Sequence, residues 1–337
     1  MSRAREIADL GSPAASGLSD RNLIINGAMK VAQRGSVTGI TSSTYGGPDR
    51  FKIAVSSHGT YTLSQSTTAP DGFVNSFKVD CTTADTSVAA SSYAVVQQKI
   101  EAQNCQRLLY GTSGAKTVTI SFYVRSNVTG TYSFNFYSHD TARQIATTYT
   151  INSANTWEFK TITFVGDTVG AINNDNGQGI HVDWFLAAGS DYTSGSQTGW
   201  NAYSSNVTSY AKGHAVNLAS STDNEWMLSG VQLEIGDVAT PFEHEDYGTT
   251  LAKCQRYFQE YISYKLYFNG TNEPSSEVGN SRVLPTVMRA VPAVGNKTST
   301  HGSVGAYSAN THSIRYITVS SHGSGGFDVG FDLDAEL

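Results

Sequence analysis

Hydrophobic and polar positions along this chain alternate with a period of two in several stretches of its first 240 residues. In Lys116–Ser126, Val118, Ile120, Phe122 and Val124 fall on one side and Thr117, Thr119, Ser121 and Tyr123 on the other, as in a half-buried strand. Tyr132, Phe134 and Phe136 repeat the pattern, and the Asn127–Gly130 turn predicts a hairpin between the two. Further strands are predicted at Tyr45–Val55, Tyr61–Ser66, Phe73–Asp80, Tyr93–Glu101, Gln144–Ile151, Thr156–Phe164, Gly179–Ala187 and Glu225–Glu234. Asn22–Val31 reads as an apolar β stretch broken by a turn at Asn26-Gly27. No helix-period segment of useful length interrupts the series, which argues for an antiparallel sandwich or jelly roll and against an α/β fold.

The pivot of the chain is Trp226–Tyr247. Met227, Ser229, Val231 and Leu233 alternate against Leu228, Gly230, Gln232 and Glu234, predicting a strand with one covered face. Gly236-Asp237 and Pro241 end it, because proline can neither continue a central strand nor let Thr240 turn helical. Beyond it, Gly248–Tyr264 fits helical spacing at Leu251, Cys254, Tyr257, Phe258 and Tyr261, and Tyr257–Tyr267 fits an aromatic strand equally well. Strands follow at Val283–Arg289, Ser313–Ser320 and Gly326–Leu333, with Pro285 and Pro292 suited to edges or ends. At the other terminus, Ser2–Leu10 fits a short helical arm, with Gly11–Ser19 as a tether. The expected organisation is all-β: an N-terminal docking arm at 1–20, a jelly-roll β-sandwich at 21–246 and a smaller C-terminal β domain at 247–337.

Composition supports this: 18 Tyr and 14 Phe accompany only 15% charged residues among abundant Gly, Ser and Thr. A net charge of -6 leaves no basic field for nucleic acid. No apolar run approaches the roughly 20 residues that span a bilayer, so membrane insertion is not expected. The MSRAREIADL start lacks the apolar segment of a secretory signal. Cys81, Cys105 and Cys254 have neither CxxC spacing nor clustered His, which favours reduced thiols over a disulfide or zinc scaffold.

The segments NLIINGAMKVAQRG, DRF at Asp49–Phe51, YTINSANTWEFKTITFVGDTVG and GVQLEIGDVATPFEHEDYGTTLAKCQRYFQEY resemble virion structural proteins of tailed bacteriophages, of the tail fibre or appendage type and especially those of marine phages. The initial SRAREIADL resembles an N-terminal segment of such fibre proteins. NLIINGAM and WMLSGVQLE are similar to the first and last strands of carbohydrate-binding modules with a jelly-roll, galactose-binding-like fold. Those modules often place an acidic calcium ligand after the first strand, where this chain has Gly27-Ala28-Met29-Lys30. The resemblance implies a homotrimer, assembled into a virion in the infected bacterial cytoplasm. It also implies attachment to other phage capsid or tail proteins through the arm, with Arg3, Arg5, Ile7 and Leu10 as docking candidates, and host surface polysaccharide as a ligand.

Catalytic signals are weak. His181 with Asp183, and His244 with Glu243, Glu245 and Asp246, match no catalytic constellation, and GxSxG, HExxH and P-loop motifs are missing. Asn173–Gly177 offers oxygen ligands but lacks the later Glu of a calcium loop and reads as a turn, so neither metal nor cofactor is expected. The Gly/Ser-rich Tyr192–Tyr210 loop carries Tyr192, Trp200, Tyr203 and Tyr210. These rings suit either sugar stacking or packing over an open end of the sandwich or against a neighbouring subunit. The expected function is therefore a noncatalytic virion protein that recognises host glycan, with a capsid or tail decoration protein that binds no glycan as the alternative.

Overall fold

The computed structural model describes residues 20–203, 207–267, 277–299, 303–319 and 326–337. The chain forms two compact units, Met1–Glu245 and Asp246–Leu337. The docking candidates Arg3, Arg5, Ile7 and Leu10, and the arm that carries them, lie outside the described residues.

The strands of the first unit are β1 (Val37–Ile40), β2 (Thr44–Tyr45), β3 (Phe51–Ser56), β4 (Thr60–Ser66), β5 (Ser76–Thr83), β6 (Tyr93–Glu101) and β7 (Val118–Ser126). They continue with β8 (Gly130–Ser138), β9 (Arg143–Ile151), β10 (Glu158–Phe164), β11 (Gln178–Ala188), β12 (Asn201–Ala202) and β13 (Glu225–Ile235). They form a six-stranded sheet, β1-β4-β5-β13-β7-β10, and a seven-stranded sheet, β12-β9-β8-β11-β6-β3-β2. Successive strands repeatedly change sheet and every pairing is antiparallel, for example β7–β10, β6–β11 and β5–β13. This is an all-β jelly-roll sandwich.

The apolar half of each alternation fills the space between the sheets. Trp184 sits at its centre, with ring centroids of Phe134, Phe122 and Phe51 at 5.2, 5.8 and 6.4 Å. Burying such rings supplies the main driving force for closing the sandwich.

Three local expectations are corrected. Asn127–Gly130 is not a hairpin turn: β7 pairs with β10 and β13, whereas β8 pairs with β9 and β11. Two strands whose apolar faces both point into one core can sit in opposing sheets, and Phe122 and Phe134 meet across the core at 6.2 Å. Asn22–Val31 is not a strand, because Asn26 (φ 62°) and Met29 (φ 56°) are left-handed and break the ladder. The segment is nonetheless fastened to β13, through Leu23 N–H to Leu233 O and Val231 N–H to Gly27 O, both 2.9 Å. Finally, β13 does not alternate strictly. A bulge between Ser229 and Gln232, with Gly230 at φ 60°, shifts the phase so that Trp226, Leu228, Val231 and Leu233 all enter the core. Residues 226–234 are buried on both faces.

In the second unit, helix α1 (Tyr247–Gln255) is capped by Asp246, which accepts from Thr249 N at 2.9 Å. The next strand, β14 (Phe258–Tyr267), resolves the helix-or-strand ambiguity as one after the other. β15 (Glu277–Val283), β16 (Ala293–Ser299), β17 (Ser303–Ala309), β18 (Ser313–Val319) and β19 (Gly326–Asp334) complete two three-stranded sheets, β14-β19-β16 and β15-β18-β17. The strand expected at Val283–Arg289 is a correction: β15 ends at Val283, just before Pro285. Leu284 N and Met288 N then donate to His312 O and Thr311 O, each at 2.8 Å.

Candidate functional site

The outward face of the seven-stranded sheet departs from the Ser/Thr surface usual on an exposed strand. Registers align Tyr45, Lys52, Gln97, Asp183, Asn135 and Ala146 in one row across β2, β3, β6, β11, β8 and β9. A parallel row on the same face holds Lys99, His181, Tyr137, Gln144 and Asn201. The next positions, Ala54, Val95 and Phe185, are apolar and buried with Ala211.

Tyr192, from residues 189–203, and Tyr210 and Ala211, from residues 207–217, cover those apolar positions. The chain leaves the sheet at Gly189, whose N–H bonds Ser92 O at 2.8 Å and where a Cβ would lie 2.0 Å from Ala89 O. Ala211 N bonds Tyr192 O at 2.9 Å and Ala215 N returns to Thr131 O at 3.0 Å. These stretches bring Tyr192, Tyr203 and Tyr210 beside Tyr93 and Tyr137 of the sheet. Ring centroids lie 5.5 Å apart for Tyr93–Tyr192, 5.7 Å for Tyr137–Tyr203, 5.2 Å for Tyr203–Tyr210 and 6.1 Å for Tyr137–Tyr210. Tyr93, Tyr137, Tyr192 and Tyr203 stay half-exposed, and Tyr137 stacks on His181 at 4.6 Å.

Beneath this nest lies Asp183, wholly buried on the outer side of the sheet. Its carboxylate accepts from Gln97 Nε2 (2.7 Å), Tyr210 O–H (2.8 Å) and Asn135 Nδ2 (3.1 Å), with His181 Nε2 at 3.2 Å. Gln178 Nε2 lies 2.6 Å from His181 Nδ1, and His181 Nε2 lies within reach of both the Tyr210 hydroxyl, at 3.0 Å, and Asp183. Burial raises the Asp183 pKa, but the charge of His181 and hydrogen bonds from His181, Asn135 and Gln97 outweigh it and hold the carboxyl below the usual range. Burial, then the Asp183 charge, push the Tyr210 phenol well up, so it remains a donor. The network thus fixes Tyr210 and, through ring contacts, Tyr203 and Tyr137.

Trp200 is apart from this group. It packs on Tyr110 and Phe136, each 5.6 Å between centroids, while its Nε1 donates to Val165 O at 2.7 Å. It closes one side of the core, the packing alternative considered for this loop. Asp175 accepts from Gly177 N at 2.8 Å as a turn former. Among the described residues no group of three or more His, Cys, Asp or Glu is placed to hold a metal.

The sequence reading missed Tyr45, Lys52, Gln97, Lys99, Asn135, Tyr137 and the role of Asp183. Their signal is faint but present: in GIHVDWFL and YSFNFY the solvent-side positions carry His, Asp, Asn and Tyr. Only the pairing registers show that these fall in common rows.

No family model matches the sequence, and no curated protein matches it. Among solved structures, the chain is similar to a family 11 carbohydrate-binding module of a cellulosomal cellulase of Clostridium thermocellum, with 12% identity and TM-score 0.31, covering 60% of this chain and 98% of that one. It is also similar to a CBM61 module in complex with β-1,4-galactotriose, with 8% identity and TM-score 0.31, covering 64% and 100%. A third is the enzymatically active domain of bacteriophage CBA120 tailspike protein 4, with 11% identity and TM-score 0.29, covering 64% of this chain. The chain spans 22% of the length of that domain's chain. At these values the fold assignment stands on strand order and register, and function on the geometry of the face.

Proposed function

We propose that this chain is a noncatalytic structural protein of a tailed-phage virion, of the tail fibre or appendage type, that binds host surface polysaccharide on the outer face of its seven-stranded sheet. The observation that carries this reading is the half-exposed tyrosine nest held over a buried, fully hydrogen-bonded carboxylate. Rigid rings give sugars a stacking surface without a large ordering cost, and Lys52 beside them offers hydrogen-bond donors. Hydrolysis would require a carboxyl group able to give up a proton and a second one opposite it. The named rows hold one carboxylate, Asp183, which is inaccessible and kept ionised. Attachment through residues 1–20 to capsid or tail proteins, and a homotrimer giving avidity to weak single sites, complete the reading.

A second reading, a decoration protein without glycan binding, is favoured by a different surface. On the outer face of the six-stranded sheet His244, Phe242, Phe73, Tyr123 and Phe159 form a chain of rings 4.9–5.7 Å apart, with Phe159 50% exposed. Such a surface suits burial against a neighbouring virion protein.

The test is binding of the full-length protein to host cells and their extracted polysaccharide, with Tyr137→Ala and Tyr203→Ala as variants. Saturable binding that both variants abolish is expected. Absence of binding by the wild type, together with attachment to particles lacking the protein, would replace this reading with the decoration role.

A further inference from the structure

Within the two rows the lysines are partly accessible and the one carboxylate, Asp183, is sequestered. Lys52 is half-buried on β3, its ammonium 5.3 Å from the Tyr45 ring centroid, and it makes no hydrogen bond or ion pair to the described residues. The nearest carboxylate along its row, Asp183, is already committed to Gln97, Asn135, Tyr210 and His181. Burial lowers the Lys52 pKa, and the Asp183 charge offsets this only in part.

The other end of the same row shows the same deficit. Ala146 terminates it, and beside Ala146 opens a groove of about 490 Å³ lined by Thr131, Thr148, Thr198 and Lys212. Lys212 Nζ donates to Ser196 O at 3.1 Å and Gln197 O at 2.9 Å, leaving one N–H, and has no carboxylate partner among the described residues. The three threonine hydroxyls likewise make no hydrogen bond to the described residues. From β3 to β9 is four strand steps, about 19 Å at ~4.8 Å each; because Gln97, Asp183 and Asn135 between them are buried, a ligand of several linked sugars would cross this span over the tyrosine rings.

A neutral sugar gives no return for holding a partly desolvated ammonium without a counter-ion, whereas an incoming carboxylate does. The chain as a whole carries a net charge of -6, so this cationic surface is a local reversal. We propose that the ligand of this face is an acidic polysaccharide, of uronic or ulosonic acid type, whose carboxylates meet Lys52 at one margin and Lys212 at the other. This rests on the glycan-binding reading above and names its ligand class.

The experiment compares binding of the full-length protein to a uronate-containing bacterial polysaccharide and to the same polymer after carboxyl reduction, at low and high salt. Lys52→Gln, Lys212→Gln and Lys52→Arg are the variants. A charge-assisted contact of this kind is worth roughly tenfold or more in affinity. Carboxyl reduction and each Gln variant should therefore weaken binding by about that factor, Lys52→Arg should retain most of it, and salt should weaken the wild type. Equal binding of native and reduced polymer, with both Gln variants unaffected, would overturn the acidic ligand and leave the glycan-binding reading standing. No binding to either polymer, or to any host polysaccharide, would overturn both.

Discussion

Asp183→Asn is the most informative single change, because it removes a charge while nearly preserving shape. Asn can still accept from Gln97, but its amide would face Asn135 Nδ2, Tyr210 O–H and His181 Nε2, all donors toward Asp183. The Tyr210 hydroxyl can rotate and accept from His181 Nε2, 3.0 Å away, which leaves Asn135 Nδ2 without its acceptor. With about 1–3 kcal/mol for that orphaned buried donor, plus loss of the buried charge to its remaining partners, the first unit should lose about 3–5 kcal/mol. All four tryptophans, Trp157, Trp184, Trp200 and Trp226, lie in the first unit, so tryptophan fluorescence in urea reports that unit alone. A slope near 3 kcal/mol/M converts the loss into a midpoint shift of roughly 1–2 M. The pH dependence supplies a second reading. The folded pKa of Asp183 lies below the ordinary 3.8, so its stabilisation is complete above the unfolded value and fades as pH falls through the folded one. The gap between wild type and variant should be constant from pH 5 to 8 and shrink in stronger acid. A midpoint shift below about 0.3 M, or a gap that widens on acidification, would refute the account of Asp183 as the ionised anchor of the face.

Other consequences can be checked alongside. Trp200→Ala should cost about 2–4 kcal/mol through lost packing on Tyr110 and Phe136 and the lost bond to Val165 O, read as a lower unfolding temperature. Gly230→Ala places a Cβ 2.7 Å from Phe73 and imposes φ 60° on an L residue, and should lower stability by about 2–3 kcal/mol in urea unfolding. Burial holds His214 down at about 4, from an ordinary 6.5. Because only the unfolded chain takes up that proton between the two values, acidification from pH 6.5 to 4 should remove about 3 kcal/mol; an NMR titration showing His214 protonated by pH 6 would contradict this.

Much of the fold was readable because the alternation is strict where one face is buried. The set Val118, Ile120, Phe122, Val124 is a core face in the structure as in the sequence. What could not be read was partnering. Nothing local distinguishes a hairpin at Asn127–Gly130 from a crossing between sheets, since either puts Phe122 and Phe134 in contact. Strands β16 and β17 escaped notice because their Gly, Ser and Thr content carries little apolar contrast. Of the site, the loop aromatics Tyr192, Tyr203 and Tyr210 were visible as rings in a flexible-looking composition. Trp200 lies in the same stretch and differs in where the chain turns it, onto Tyr110 and Phe136. Asp183 was visible as a residue but not as an anchor, because its partners Gln97, Asn135 and Tyr210 come from three separate segments.

The position of β13 has a consequence for biosynthesis. It lies between β5 and β7 in the six-stranded sheet, so that sheet has no continuous ladder until residues 225–235 have left the ribosome. Until then β5 and β7 each present an unpaired edge, and the core around Trp184 lacks the wall formed by Trp226, Leu228, Val231 and Leu233. Nascent chains ending before Glu225 should therefore be protease-sensitive and prone to edge-to-edge association, and folding of the sandwich must wait until nearly the whole first unit has been synthesised. The last long strand of the jelly roll acts as a timer: it keeps the seven-stranded sheet without a backing until almost all of the first unit has been made.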